Sequence, residues 1–102
     1  MDVTLLYFDG CPNWQRTEDL VLLALAELGV PPAALRRQEV ESPEDAERLG
    51  FHGSPTVLID GKDPFADPDA PVGLMCRVYA TPSGLAGSPT IEQLIGALRT
   101  RM

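Results

Sequence analysis

Lysine is almost absent from this sequence. Lys62 stands alone beside seven arginines, and the excess of acidic residues gives a net charge of −7. A chain with this charge repels a phosphate backbone, and no basic stripe offsets the repulsion, so we expect no nucleic-acid partner. Long hydrophobic runs are missing too. The longest apolar stretch, residues 20–28, is interrupted by Glu27 and is too short to span a bilayer, so we expect no membrane partner.

Cysteine is also scarce, with only Cys11 and Cys76. The first residues carry no positive region, and the apolar stretch at residues 3–8 has the length of a strand rather than that of a signal peptide. We therefore expect a cytoplasmic protein. In that compartment two cysteines argue against a disulfide scaffold and for thiols that are reactive, metal-binding or simply buried. With 102 residues, 44% of them hydrophobic, the chain is expected to form one domain, residues 1–102, around a modest core.

The apolar patterns predict an α/β fold whose elements follow the order βαβα and then ββα. We expect strands at residues 3–8, 35–40, 57–59 and 74–79, and helices at residues 12–28, 42–50 and 90–98. The second strand is polar and suits a sheet edge. Residues 62–71 hold three prolines and three aspartates and read as a loop, but the acidic spacing there misses that of a calcium-binding loop.

Cys11 directly follows the first predicted strand and precedes Pro12, a residue suited to the first position of a helix. A cysteine at the helix N-cap faces unpaired backbone N–H groups and the positive end of the helix dipole, and both favour the thiolate. We therefore predict that Cys11 is a nucleophile. The alternative is a buried structural cysteine.

Residues 10–14 (Gly-Cys-Pro-Asn-Trp) and 53–57 (Gly-Ser-Pro-Thr-Val), in this order of elements, resemble the thioredoxin family over nearly the whole chain. The resemblance implies a three-layer α/β/α domain with a four-stranded mixed sheet. It also implies a cis-proline before the third strand, which packs beside the active cysteine and presents the preceding backbone to a substrate. The substrate-binding residues predicted on this basis are Pro12, Trp14, Ser54 and Pro55.

The sequence departs from that family three residues after Cys11, where Trp14 replaces the second cysteine of a dithiol site. The usual intramolecular disulfide is therefore excluded. Trp14 is expected to cover Cys11, to offer an aromatic wall to a substrate, or to anchor the core. Cys76 is either a second catalytic thiol or a silent residue, and in a thioredoxin sheet its strand lies two strands from the first, beyond disulfide reach.

Residues 53–57 and 73–79 also resemble small bacterial thioredoxin-like proteins that are loosely grouped with alkylmercury lyases. That resemblance implies thiol or metal handling. The sequence has no Cys-x-x-Cys motif and no Cys/His cluster at metal spacing, so we predict neither a metal site nor a cofactor. His52, close to Pro55, is expected to tune a thiolate or to face a loop.

Together these features predict a thiol–disulfide oxidoreductase with Cys11 as its nucleophile, resolved by an external thiol or by Cys76. Its partners are then protein or low-molecular-weight thiols and disulfides. Two alternatives stay open. One is a thiol-based protein that binds a soft metal or an organomercurial, and the other is a non-catalytic interaction module with a partner surface at Trp14, Ser54 and Pro55.

Overall fold

The structure is a computed structural model that describes residues 1–102. Its elements follow the chain in the order β1 (Val3–Tyr7), α1 (Trp14–Glu27), a 3₁₀ turn (Pro32–Ala34), β2 (Leu35–Glu39), α2 (Pro43–Leu49), β3 (Thr56–Ile59), β4 (Tyr79–Thr81), β5 (Gly84–Ala86) and α3 (Ile91–Thr100). None of the helices combines the length and the apolar character that a membrane crossing requires.

The main sheet has three strands in the order β2-β1-β3. β1 runs parallel to β2 and antiparallel to β3. As a central strand it is covered on both faces, which explains why its sequence is a continuous apolar run rather than an alternating one. β2 lies at the edge with most of its side chains exposed, so the edge position predicted from its arginines is confirmed.

Helices cover both faces of this sheet. On one face α1 and α3 pack together over a core whose buried members include Leu5, Leu25 and Leu94. On the other face α2 contributes Ala46 to a smaller cluster with Leu6, Val40 and Phe51. Because successive side chains of a strand point to opposite faces, Leu5 and Leu6 of β1 enter different clusters.

Two of the three predicted helix starts are confirmed. Ser42 caps α2 by accepting a hydrogen bond from the N–H of Asp45, and Thr90 and Gln93 form the expected capping box of α3. The start predicted for α1 is wrong. Asn13 is its N-cap, and Pro12 stands before the helix, because the N–H of Cys11 closes a turn onto the carbonyl of Phe8.

The predicted four-stranded thioredoxin-like fold is also wrong. The protein is a small α/β domain with a three-stranded sheet and a separate two-stranded sheet, β4-β5. The strand expected at residues 74–79 does not form, and only Tyr79 of that stretch belongs to a strand. The chain turns back at Pro82 and Ser83, so Tyr79 pairs with Ala86 instead of extending the main sheet beside β3.

Residues 73–77, which we call the crossing segment, run past the residues that precede β3. The N–H of Gly73 donates to the carbonyl of Phe51, and a single parallel bridge joins Cys76 to Ser54. The Ser54–Pro55 peptide bond is cis, as the resemblance implies. The crossing segment therefore lies against the residues that lead into the cis bond, without becoming a strand of the sheet.

Candidate functional site

Cys11 lies in the turn between β1 and α1 and is only 4% exposed. Its Sγ makes two polar contacts, both at 3.4 Å. The thiol donates to the carbonyl of Ser54, and the N–H of Asn13 donates to the sulfur. Although Cys11 is not the N-cap, its sulfur still takes a backbone N–H at the beginning of α1.

Ser54 is fully buried, and its backbone is already paired. Its N–H donates to the carbonyl of Met75 at 2.8 Å, and its carbonyl accepts from the N–H of Arg77 at 2.9 Å. Its Oγ accepts from the N–H of Phe8 at 3.3 Å. The backbone that we predicted to meet a substrate is therefore occupied by the crossing segment of the same chain.

Gly53 allows the crossing segment to approach this closely. It adopts φ +111°, a conformation that L side chains rarely take. A Cβ built there lies 3.1 Å from Cβ of Arg77 and 3.2 Å from the carbonyl oxygen of Met75. Both the backbone conformation and the available space therefore call for glycine at this position.

Trp14 belongs to the core cluster that also contains Cys11. Its ring stacks on Tyr7, with centroids 4.2 Å apart, and the guanidinium of Arg37 lies 5.4 Å from the ring centroid. The exposed fraction of Trp14 is 9%, so its ring has little surface left for a ligand and acts as a core anchor. Pro12 is exposed, whereas Pro55 is buried.

Cys76 is exposed, and it forms no disulfide with Cys11. It lines a groove of about 600 Å³ together with His52, Met75 and Tyr79. His52 is committed elsewhere through its Nδ1, which lies 3.0 Å from the carbonyl oxygen of Ala70. The structure thus brings Ser54 next to both cysteines, through the Cys11 thiol and through the bridge to Cys76. His52 contacts the end of the 62–71 loop instead of a thiol.

Arg77 is a central residue of this region that the sequence did not single out. Its guanidinium is buried and forms an ion pair with Asp63 at 2.6 Å, and it also donates to Oγ1 of Thr56 and to the carbonyl of Phe65. These contacts join the crossing segment, the 62–71 loop and β3. An arginine between apolar residues, with an acidic loop before it, was the available signal.

Tyr79 lies beside the cis bond and donates its hydroxyl hydrogen to the carbonyl of Pro55. The ring is buried among Phe65 and the Arg77 guanidinium, which lies 4.5 Å from the ring centroid. Burial raises the pKa of Tyr79 well above its ordinary range, although the positive charge of Arg77 acts in the opposite direction. The phenol therefore stays protonated and keeps its hydrogen bond.

No group of three or more His, Cys, Asp or Glu side chains converges to hold a metal ion. The loop aspartates have local partners instead. Asp63 pairs with Arg77, the side chain of Asp67 accepts from the N–H of Asp69, and Asp60 accepts from the N–H of Asp2. These contacts give the carboxylates of Asp60, Asp63 and Asp67 structural roles at the ends of the loop and the strands.

Comparison with known proteins gives no relative. No family model, no curated protein and no solved structure matches the chain. The resemblance to thioredoxin-like proteins therefore stays a prediction from residues 10–14 and 53–57.

Proposed function

We propose that the protein is a thiol–disulfide oxidoreductase in which Cys11 is the nucleophile. The observation that carries this proposal is the position of the Cys11 sulfur, which accepts the N–H of Asn13 and contacts the carbonyl of Ser54 beside the cis bond. A thiolate is the form of cysteine that attacks a disulfide, and the N–H of Asn13 is the donor placed to bond the Cys11 sulfur. The substrates are protein or low-molecular-weight disulfides.

The exchange step forms one S–S bond and breaks another. The Cys11 thiolate attacks one sulfur of a disulfide, a new S–S bond forms at Cys11, and the other sulfur leaves as a thiolate. A second thiol then attacks the mixed disulfide and releases Cys11. That second thiol is either an external one or Cys76, and no metal or organic cofactor takes part.

The burial of Cys11 constrains how the exchange begins. Only 4% of the residue is exposed, while a disulfide under attack has to approach the sulfur along the S–S axis. Either the residues that cover Cys11 move away, or Cys11 attacks a disulfide that has already formed on another cysteine of the same chain. Both routes need Cys11, so removal of its sulfur tests the proposal whichever of the two is taken.

The experiment follows the reduction of hydroxyethyl disulfide by glutathione, with the reduced protein in catalytic amounts. We expect the wild-type chain to accelerate the reaction, and Cys11→Ser and Cys11→Ala to lose most of that acceleration. Ala24→Ser is the matched control, because it also puts a hydroxyl into the same buried cluster, away from the thiol. Circular dichroism establishes that each variant is folded.

Two results contradict the proposal. One is a wild-type chain that gives no acceleration over glutathione alone. The other is a Cys11→Ala variant that retains the wild-type rate. Either result leaves Cys11 as a buried structural cysteine that packs in the core.

A further inference from the structure

Cys76 sits in register with Ser54. Their bridge is made by two backbone hydrogen bonds, from the N–H of Ser54 to Met75 and from the N–H of Arg77 to Ser54. Neighbouring backbones paired in this way lie about 4.8 Å apart. Cys76 is thus held beside the residue whose carbonyl receives the Cys11 thiol.

One oxygen atom contacts both Cys11 and the residue that follows Cys76. The carbonyl oxygen of Ser54 accepts from the Cys11 thiol at 3.4 Å and from the N–H of Arg77 at 2.9 Å. Arg77 is the residue directly after Cys76. The crossing segment therefore places the residue after Cys76 in contact with the same oxygen that the Cys11 sulfur contacts, although Cys11 and Cys76 are far apart in the sequence.

The two thiols differ in access to solvent. Cys11 is nearly inaccessible, whereas Cys76 is exposed and lies in the groove with Met75 and Tyr79. An external disulfide therefore reaches Cys76 first. Cys11 contacts the residue that is bridged to Cys76, so a sulfur bound at Cys76 is nearer to it than bulk solvent is.

We propose that Cys76 receives the external disulfide and that Cys11 then displaces the bound group to close an internal Cys11–Cys76 disulfide. The inference rests on the proposed function and takes the route in which Cys11 attacks a disulfide sulfur already bound to the chain, at Cys76. In the first step the Cys76 thiolate attacks RS–SR, forming Cys76–S–SR and releasing RS⁻. In the second the Cys11 thiolate attacks the Cys76 sulfur and releases the other RS⁻. An external thiol such as glutathione reduces the internal disulfide and completes the cycle.

Formation of the Cys11–Cys76 disulfide requires a local shift of the crossing segment. A disulfide needs Cα atoms about 4.4–6.8 Å apart, and the bridge to Ser54 holds Cys76 beside the residue that the Cys11 sulfur contacts. The segment is no helix or strand, and the side chains of Leu74 within it and of Val78 directly after it are exposed. Its bonds to Ser54 and Phe51 are the ones that have to adjust.

The test treats the full reduced chain with excess hydroxyethyl disulfide and follows intact mass and tryptic peptides with time. In the wild type we expect a short-lived adduct at Cys76, followed by a monomeric product that has lost two hydrogens and whose peptides link Cys11 to Cys76. In Cys11→Ala the adduct at Cys76 is expected to accumulate. In Cys76→Ser the buried Cys11 is expected to form an adduct far more slowly than Cys76 does in Cys11→Ala.

A wild-type chain that accumulates a stable Cys76 adduct with no internal link overturns the inference, and so does a first adduct at Cys11. Size exclusion separates a disulfide-linked dimer, which also counts against it. The outcome is independent of turnover. If the internal disulfide forms without accelerating glutathione turnover, only the proposed function fails, and if Cys76→Ser turns over as fast as wild type, only this inference fails.

Discussion

Arg77 and Asp63 form the one ion pair in the protein whose two side chains are both largely withdrawn from water, with exposed fractions of 8% and 12%. The other ion pairs each keep at least one side chain more than a third exposed. Because Arg77 also donates its backbone N–H to Ser54, the ion pair fixes the crossing segment beside Cys11. Stability and site geometry are therefore coupled through this one arginine.

Asp63→Asn is expected to lower the free energy of unfolding by about 3 kcal/mol, because it leaves a buried guanidinium without its counter-charge. Urea unfolding followed by circular dichroism measures the loss. The control is Arg48→Gln, which breaks a pair between exposed side chains and is expected to cost about 0.5 kcal/mol or less. Equal effects of the two substitutions would show that burial gives the Arg77 pair no special weight.

Gly53 and Gly84 offer a comparison that separates backbone strain from crowding. Their φ angles are nearly equal, +111° and +113°, but a Cβ meets Arg77 and Met75 at Gly53 and open space at Gly84. Gly84→Ala is expected to cost about 1–2 kcal/mol from backbone strain alone. Gly53→Ala is expected to cost at least about 1 kcal/mol more, because the crossing segment has to move.

The same pair of variants has a second readout in the reactivity of Cys11. If Gly53→Ala pushes the crossing segment away from Ser54, the Cys11 thiol becomes easier to alkylate in the folded protein, whereas Gly84→Ala leaves its rate near that of wild type. Unfolding free energies that are indistinguishable for the two variants contradict the assigned role of Gly53.

The parts of the fold that were predicted correctly depend on short stretches of sequence. The capping residues Ser42 and Thr90 act on N–H groups three residues away, and the apolar run of β1 reports burial on both faces. These signals are local, so one sequence is enough to interpret them. The edge position of β2 followed in the same way from its charged side chains.

The predictions that failed concern residues whose partners are distant. Residues 74–79 alternate as a strand does, but Arg77 on that stretch turns inward to Asp63 and Thr56, and no periodicity reveals that pairing. Pro12 suits a helix start, yet the turn that links Cys11 to Phe8 delays the helix. The resemblance implied a cis-proline at Pro55, and the Ser54–Pro55 bond is cis, whereas the register of Cys76 with Ser54 follows from a crossing that only the three-dimensional structure reveals.

Tyr79 predicts a loss of stability in alkaline solution. Its pKa is raised above the ordinary value of 10.0 mainly by burial, so the folded protein holds the phenolic proton more tightly than the unfolded chain does. The resulting stabilisation is fully present below about pH 10 and is lost as the pH rises through that value towards the folded pKa. The expected slope in that range reaches about 1.4 kcal/mol per pH unit.

Urea unfolding of wild type and Tyr79→Phe between about pH 8 and pH 11.5 measures this contribution. At pH 8 the variant is expected to be less stable by about 1 kcal/mol, because the carbonyl of Pro55 loses its donor. Above pH 10 the difference between the two proteins shrinks, since only wild type has a buried phenol to ionise. A difference that stays constant over the whole range contradicts the assignment to Tyr79.

The unequal exposure of the two cysteines predicts the order in which an uncharged alkylating agent modifies them. With limiting N-ethylmaleimide, peptide mapping is expected to find the label on Cys76 first, because Cys11 has to wait for a local opening. An opening that costs about 3 kcal/mol slows Cys11 by about a hundredfold. In concentrated urea both thiols react at similar rates, which serves as the control for intrinsic reactivity.

Low urea should then speed the labelling of Cys11 far more than that of Cys76, since only the buried thiol depends on the opening. Equal rates in the native protein would mean that Cys11 is accessible without such an opening, and an external disulfide could then reach it directly.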